Sequence, residues 1–110
     1  MELTYKTKKL ENLCENADYN RELQKLYGSE VAKKLPQRIS EIKAFDSIND
    51  IPVTLPFRRH KLEGKRKDEF AVNINREFRI IFRPNSKNIE IVDLRLIKNI
   101  EIMEVSKHYE

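Results

Sequence analysis

The sequence predicts an α+β fold in which an N-terminal helical hairpin packs on a mainly antiparallel β-sheet. Two observations support this prediction. Apolar residues recur at helical spacing up to about residue 45, and after a connector rich in turn formers they recur at every second position. The chain has 110 residues and no internal repeat, which suits one hydrophobic core, so we expect a single domain over residues 1–110.

The first predicted element is a short strand at residues 2–6, followed by a helix that starts near Lys8. The apolar positions of this helix shift phase near Asp18, so we expect a break there. Gly28 should end the helix, because glycine is common just beyond a helix C-terminus.

The second helix is predicted to have Ser29 as its N-cap, and its apolar stripe continues to Phe45. Pro36 lies inside it and should kink the helix or mark an irregular first turn, since proline lacks a backbone N–H. The connection between the two helices is very short, so they are expected to form an antiparallel hairpin.

Residues 47–56 contain two prolines and several turn formers and are interpreted as a connector. Beyond them, the apolar pattern at 70–75 and at 78–83 has a period of two and predicts two antiparallel strands. The turn that joins these strands is expected near Arg76 and Glu77.

The last part of the chain is predicted to add two more strands to the sheet. Residues 84–88 are interpreted as a turn, and strands are expected at 89–97 and 100–105 with a break at Lys98 and Asn99. The helical hairpin would then cover one face of this sheet.

The segment from residue 57 to residue 83 holds much of the positive charge of the chain. Within residues 58–67, six basic residues are accompanied by one acidic residue, Glu63. Such clustering indicates an anionic partner such as nucleic acid, although a solvated loop that only keeps the protein soluble is the alternative. The basic residues are Arg58, Arg59, Lys61, Lys65, Arg66 and Lys67.

The composition argues against several classes of protein. The single cysteine, Cys14, cannot form an internal disulfide, and no apolar run has the length of a signal peptide or a membrane span. We therefore expect a soluble, cytoplasmic protein that does not contact a membrane. With two glycines and two distant histidines, a glycine-rich phosphate loop and a zinc site are not indicated, so we expect neither metal nor cofactor.

The chain resembles a known family through His60, Leu62 and Gly64, an amphipathic strand, and a set of residues in the next hairpin. That set is Asn75, Phe78, Arg79, Ile80 and Phe82. The pattern is similar to the toxins of type II toxin–antitoxin pairs in the RelE/ParE superfamily, nearest to the HigB-like plasmid maintenance killer branch. The resemblance implies a RelE-like microbial RNase toxin fold and a toxin that cleaves mRNA, typically on the translating ribosome.

The resemblance also implies the partners of the chain. These are mRNA, the ribosome and a cognate antitoxin of the helix-turn-helix type that is encoded beside the toxin and forms an oligomeric complex with it. We expect an acidic or amphipathic segment of the antitoxin to lie across the helices or the basic face. ParE-like members instead inhibit DNA gyrase without nuclease chemistry, and this alternative stays open.

Cleavage of RNA without a metal requires a base for the proton of the ribose 2′-hydroxyl, an acid for the departing oxygen and cations at the phosphate. His60 is the best candidate for proton transfer, because imidazole titrates near neutral pH. Arg79 occupies the family's arginine position and is expected to hold the scissile phosphate through two parallel hydrogen bonds. Arg76 is expected to contact RNA nearby.

Lys107, His108 and Tyr109 form a second candidate cluster at the C-terminus. HigB-like toxins often end in an acid, a tyrosine and a histidine, whereas here Lys107 falls near the acid position and His108 precedes Tyr109. One assignment makes His60 and His108 the acid and the base, with Tyr109 orienting the RNA or stacking on a base. Lys107 is expected to bind RNA. Which histidine is the acid stays open, and a frayed tail is the alternative.

Overall fold

The computed structural model describes residues 1–85 and 93–108. These residues form helices and a five-stranded, mostly antiparallel sheet, so the predicted α+β class is confirmed. The elements are β1 (Glu2–Tyr5), α1 (Lys8–Glu15), α2 (Asn20–Tyr27), α3 (Ser29–Ala44), β2 (His60–Lys61), β3 (Phe70–Asn73), β4 (Phe78–Pro84) and β5 (Asn99–Lys107). None of the helices within the described ranges is long and apolar enough to span a bilayer.

The sheet has the strand order β1-β5-β4-β3-β2. β4 pairs antiparallel with both β3 and β5, β2 pairs antiparallel with β3, and β1 lies parallel to β5. The register of β4 against β5 shifts between Ile81 and Phe82, where a bulge interrupts the ladder. The predicted hairpin of two strands around Arg76 and Glu77 is therefore confirmed as β3 and β4.

The break predicted near Asp18 is confirmed, and it divides the first helix into α1 and α2. A short 3-10 helix, Ala17–Tyr19, separates them. The side chain of Asn16 accepts a hydrogen bond of 3.0 Å from the backbone N–H of Asp18. This side chain takes the place of the backbone carbonyl that would accept from the same N–H in a continuous helix.

The predicted N-cap of the second helix is wrong by one residue. Gly28 is the cap and Ser29 is the first helical residue. Gly28 has a φ of 93°, a conformation that glycine adopts without a steric penalty, so one residue both ends α2 and turns the chain into α3. α3 continues from Ser29 to Ala44 with Pro36 inside it, so Pro36 does not mark an irregular first turn.

The hydrophobic core lies between the helices and one face of the sheet. Buried core residues include Leu13, Leu23, Leu35, Ile39, Ile42, Phe70, Val72, Ile80, Phe82 and Ile102. Ala71 and Ile81 point to the opposite face, yet both are also fully buried. They are cross-strand partners, and Ile81 pairs on its other side with Glu104, whose carboxylate binds the guanidinium of Arg66. The outer face is thus partly covered.

The strand predicted at 89–97 is wrong over the residues that the structure describes. Leu94–Leu96 form a short 3-10 helix, while residues 89–92 lie outside the described ranges. The side chain of Asp93 accepts a hydrogen bond of 3.0 Å from the backbone N–H of Arg95, which favours a turn over an extended strand. The predicted turn at 84–88 is described only to residue 85, and Pro84 still belongs to β4.

The strand predicted at 100–105 is confirmed and is longer, because β5 begins at Asn99. The connector at 47–56 is irregular as predicted, but it contains a 3-10 helix, Ile48–Asp50, and two core residues, Ile48 and Ile51. The backbone N–H of Ile48 donates to the carbonyl of Ile97 at 3.1 Å, which joins the connector to the segment before β5.

A buried arginine in α3 supports the loops at the end of the sheet. The guanidinium of Arg38 lies 4.8 Å from the ring centroid of Phe57. Its Nη2 donates to the carbonyl of Ile74 at 3.4 Å, and its Nη1 donates to Glu41 at 3.1 Å. Arg38 therefore connects α3 to the loop before β2 and to the turn after β3, and the charge is stabilised by Glu41 and the aromatic ring.

The turn between β3 and β4 is held by one asparagine. Asn75 Oδ1 accepts hydrogen bonds from the backbone N–H groups of Glu77 and Phe78, at 3.0 and 2.8 Å. Asn75 Nδ2 donates to the carboxylate of Glu30 in α3 at 2.7 Å. Two backbone donors and one helix contact thus depend on this side chain.

We expect Asn75→Ala to lower the free energy of unfolding by about 1–2 kcal/mol, because two backbone donors lose their partner. Glu30→Ala removes the exposed contact with Asn75 and an exposed ion pair with Lys34, and should cost less than about 1 kcal/mol. Equilibrium denaturation of both variants checks this expectation. Equal losses for the two variants would show that Asn75 does not stabilise the turn through the backbone.

Candidate active site

An open groove of about 660 Å³ lies on the outer face of the sheet, beside the turn between β3 and β4. It is lined by Val53, Leu55, Arg58, His60, Asn73, Arg76, Arg79 and His108. Three of the predicted catalytic residues, His60, Arg79 and His108, therefore lie together although they are distant in sequence. The fourth, Tyr109, lies outside the described residues.

The pairing of the strands explains why Arg79 faces the groove. Phe78 and Ile80, its neighbours in β4, are buried in the core. Since side chains alternate along a strand, Arg79 lies on the opposite face. It is flanked by Asn73 in β3 and Ser106 in β5, its two cross-strand partners, and its Nε donates to Ser106 Oγ at 3.4 Å.

The loop before β2 carries Arg58 to the groove. The backbone N–H of Arg58 donates to the carbonyl of Thr54 at 2.8 Å, and the backbone N–H of Asn73 donates to the carbonyl of Phe57 at 2.8 Å. Arg58 has a φ of 46°, a left-handed conformation that few non-glycine residues adopt. Such strain is held by the surrounding contacts, and here it occurs at a residue that lines the groove.

The hydrogen bond made by His60 determines where its neutral ring carries a proton. His60 Nδ1 lies 3.0 Å from the carbonyl oxygen of Arg58. A carbonyl can only accept, so Nδ1 must be the donor, and in the neutral ring Nε2 then has a free lone pair. The ring is therefore oriented by its own backbone, with Nε2 available for proton transfer.

His108 is held by the β3–β4 turn. Its backbone N–H donates to the carbonyl of Glu77 at 2.8 Å. Burial lowers the pKa of the His108 imidazole, and the positive charges of Arg79 and Arg58 lower it further, while a hydrogen bond with the backbone of Asn75 acts in the opposite direction. The Nε2 atom is buried and has no hydrogen-bond partner in the described parts of the chain. The net lowering of the pKa favours the neutral form of the His108 imidazole.

Two of the predicted RNA-binding arginines are engaged elsewhere in the protein. Arg59 Nε donates to the carbonyl of Ile51 at 2.9 Å, and burial lowers the pKa of its guanidinium. Arg66 forms ion pairs with Glu69 and with Glu104, the latter at 3.3 Å. Neither arginine lines the groove, because each is used to attach its loop to the body of the protein.

The predicted lysines also lie outside the groove lining. Lys61, Lys65 and Lys67 are exposed on the loop around β2, and their contact with RNA stays a prediction. Lys107 pairs with Phe78 and shares its face of the sheet, with Nζ 6.0 Å from the centroid of that ring. Its side chain therefore lies on the opposite face from Arg79. Arg58 and Arg76, in contrast, do line the groove.

Several residues of the site were not found from the sequence. Val53 and Leu55 line the groove with 60% and 74% of their surface exposed, and exposed apolar residues in a connector carry no signal of their own. The sequence pattern predicts Asn73 only as a strand residue that alternates with core positions. Its position next to Arg79 follows from the register of β3, which the two-residue period alone does not fix.

The chain matches a family of known toxins. Residues 3–107 match the model for HigB-like toxins, described as RelE-like toxins of the type II toxin–antitoxin system HigB. No curated protein sequence matches the chain significantly.

The fold is similar to that of several solved toxins. A YoeB/ParE toxin from Agrobacterium tumefaciens has a TM-score of 0.56 and 16% identity, with 99% of this chain and 100% of that chain covered. A YoeB–YefM complex from Staphylococcus aureus has a TM-score of 0.55 and 15% identity, with 99% and 98% covered. A copper-bound mutant toxin from Helicobacter pylori has a TM-score of 0.51 and 15% identity, with 98% and 94% covered.

At these identities the solved structures show a shared fold, and the family assignment depends on the sequence model. That model spans nearly the whole chain, including β1 at one end and β5 at the other. The chain belongs to the HigB-like family, the RelE-like toxins of type II toxin–antitoxin systems.

Proposed function

We propose that this toxin is a metal-independent endoribonuclease that cleaves mRNA on the ribosome in the cytoplasm and so inhibits translation and growth. The observation that carries the proposal is the meeting of His60, Arg79 and His108 in one open groove. Two imidazoles and a guanidinium are the groups that proton transfer and phosphate stabilisation require. The absence of acidic residues from the described lining of this groove favours an anionic substrate.

The proposed reaction is an attack of the ribose 2′-oxygen on the neighbouring phosphorus. A base removes the 2′-hydroxyl proton, the new O2′–P bond forms, and the P–O5′ bond breaks. An acid gives its proton to the departing 5′-oxygen, so the products are a 2′,3′-cyclic phosphate and a 5′-hydroxyl. No oxidant, metal or further reactant is required for this balance.

We assign the base to His108 and the acid to His60. The lowered pKa of His108 favours its unprotonated imidazole, which is the form that a base requires. His60 donates from Nδ1 to the carbonyl of Arg58, so its second proton lies on Nε2 only in the imidazolium form, and we propose that this form gives the proton to the leaving oxygen. Tyr109 follows His108 directly and is proposed to orient the RNA.

Arg79 is proposed to hold the scissile phosphate. Its Nε is directed to Ser106, and no hydrogen bond among the described residues uses its two terminal nitrogens. A guanidinium presents paired donors that match two phosphate oxygens. Arg58 and Arg76 line the same groove and add positive charge, so they are proposed to bind the adjoining phosphates.

A cognate antitoxin is proposed to hold the toxin inactive. Membership of a type II toxin–antitoxin family and the similarity to the fold in a YoeB–YefM complex support this partner. We propose an antitoxin of the helix-turn-helix type, encoded beside the toxin, that forms an oligomeric complex with it.

We expect Arg79→Ala to reduce RNA cleavage by about a hundredfold or more, because the developing charge on the phosphate loses its main stabilising group. Arg79→Lys should retain only part of the activity, since lysine cannot make two parallel hydrogen bonds. Mapping of mRNA 5′ ends after induction in cells measures the cleavage. Arg83→Ala is the matched control, because Arg83 lies four residues further along β4 and pairs with Glu101 outside the groove.

The same experiment separates the nuclease from the gyrase alternative. Growth arrest that is accompanied by DNA damage signalling and by no new RNA ends would contradict the proposed function. Cuts that disappear in Arg79→Ala and persist in Arg83→Ala would support it.

The pKa of His108 should rise when a neighbouring cation is removed. Arg58 is one of the charges that lower this pKa, so Arg58→Ala is expected to shift the titration of His108 toward higher pH. NMR titration of the imidazole C–H signals measures the shift directly. Lys61→Ala removes an exposed cation outside the groove lining, so the pKa of His108 should stay unchanged in this variant. An unchanged titration in Arg58→Ala would show that the groove charges do not act on His108.

A further inference from the structure

Asn73 occupies the middle of the candidate site, although the proposed chemistry gives it no part. It is the cross-strand partner of Arg79, and the neighbouring pair in the same sheet joins Ala71 to His60. Directly opposite side chains in an antiparallel pair are about 5 Å apart at Cβ, and diagonal ones about 7 Å. Asn73 therefore lies between the proposed acid and the proposed phosphate-binding group.

The backbone of Asn73 is rigidly placed. It belongs to β3, which is flanked by β2 and β4, and its N–H donates to the carbonyl of Phe57 at 2.8 Å. A side chain that starts from such a strand has few alternative positions. A contact made by this side chain is therefore well defined in space.

The side-chain oxygen of Asn73 is buried without a hydrogen-bond partner. Only 9% of the residue surface is exposed, and the Oδ1 atom has no hydrogen-bond partner within residues 1–85 and 93–108. Almost all such atoms are hydrogen-bonded in native proteins. An unpaired buried acceptor loses its hydrogen bonds to water and forms none within the protein, which is unfavourable. An orphan acceptor on a residue that lines an open groove indicates a ligand that supplies the missing donor.

The identity of the donor is restricted by the chemistry of RNA. A phosphodiester at neutral pH has no proton to donate, so the phosphate that Arg79 attracts cannot bind an amide oxygen. The donors of a nucleotide are the ribose 2′-hydroxyl and the N–H groups at the edges of the bases. Both are within one nucleotide of the phosphate.

We propose that Asn73 is a substrate-binding residue whose Oδ1 accepts a hydrogen bond from a nucleotide next to the scissile phosphate. The donor is a base N–H or a 2′-hydroxyl other than the attacking one, whose single proton goes to the catalytic base. The proposal rests on the proposed ribonuclease function. Arg79 and Asn73 would then contact adjoining parts of the RNA. Arg79 binds the phosphate, and Asn73 holds the nucleotide attached to it. This second contact limits rotation of the nucleotide about the phosphate, which helps to align the attacking oxygen.

The test compares Asn73→Leu with the wild-type chain. Leucine has a similar volume but cannot accept a hydrogen bond, so RNA cleavage is expected to fall by about tenfold. The free energy of unfolding should stay the same or rise, because an unpaired buried polar group has been removed. Asn99→Leu is the control, since Asn99 lies exposed at the far end of β5. Cleavage is measured by mapping mRNA 5′ ends and stability by equilibrium denaturation.

The distribution of the remaining cuts identifies the donor. A uniform loss over all cleavage sites would assign it to the 2′-hydroxyl, which every ribonucleotide carries. A loss that changes the preferred bases at the cut would assign it to a base edge. Either pattern supports the proposal.

Two results would overturn the proposal while leaving the proposed function intact. One is wild-type cleavage by Asn73→Leu, and the other is a loss of cleavage accompanied by an equal loss of stability, which would indicate a structural role. If the wild-type protein produced no RNA cuts, the proposed function would fail, and the role of Asn73 would fail with it.

Discussion

The antiparallel pairing of β4 with β3 and β5 is the constraint on which both the core and the groove depend. The register that directs Phe78 and Ile80 toward the helices necessarily directs Arg79 to the other face, between Asn73 and Ser106. A slip of one residue would exchange the two faces and bury the guanidinium among apolar side chains, which is strongly unfavourable. The free energy of core burial therefore fixes the position of Arg79.

The β3–β4 hairpin also positions the two histidines, each through one backbone hydrogen bond to a neighbouring segment. The carbonyl of Phe57 accepts from β3 and so holds the loop that leads to His60, while the carbonyl of Glu77 accepts from the backbone of His108. These bonds do not depend on the identity of the side chains they position. A residue of the groove can therefore be replaced without a change in the backbone that positions it. Substitutions there are for this reason informative about function.

The helices and the central hairpin could be predicted from the sequence, because each depends on local periodicity. The family pattern pointed to His60 and Arg79, which share one groove, and their catalytic roles stay predictions. The orientation of loop cations could not be predicted in this way. Arg59 and Arg66 resemble the other basic residues in sequence, and only the folded chain shows that carbonyl and carboxylate partners hold them. The face of Lys107 required the register of β5, and the turn at Asp93 required a side-chain hydrogen bond that outweighed an apolar strand pattern.

The electrostatics of the groove have a consequence for proton transfer. In the free protein, burial and neighbouring cations lower the pKa of His108, which favours the unprotonated imidazole. A phosphate held by Arg79 would bring negative charge into the same groove and oppose the effect of those cations. The affinity of His108 for a proton would then increase only after the substrate is bound. If His108 is the base, as proposed, an imidazole that is neutral before binding and more basic afterwards suits removal of the 2′-hydroxyl proton. The positive groove would then serve both to bind RNA and to prepare the base.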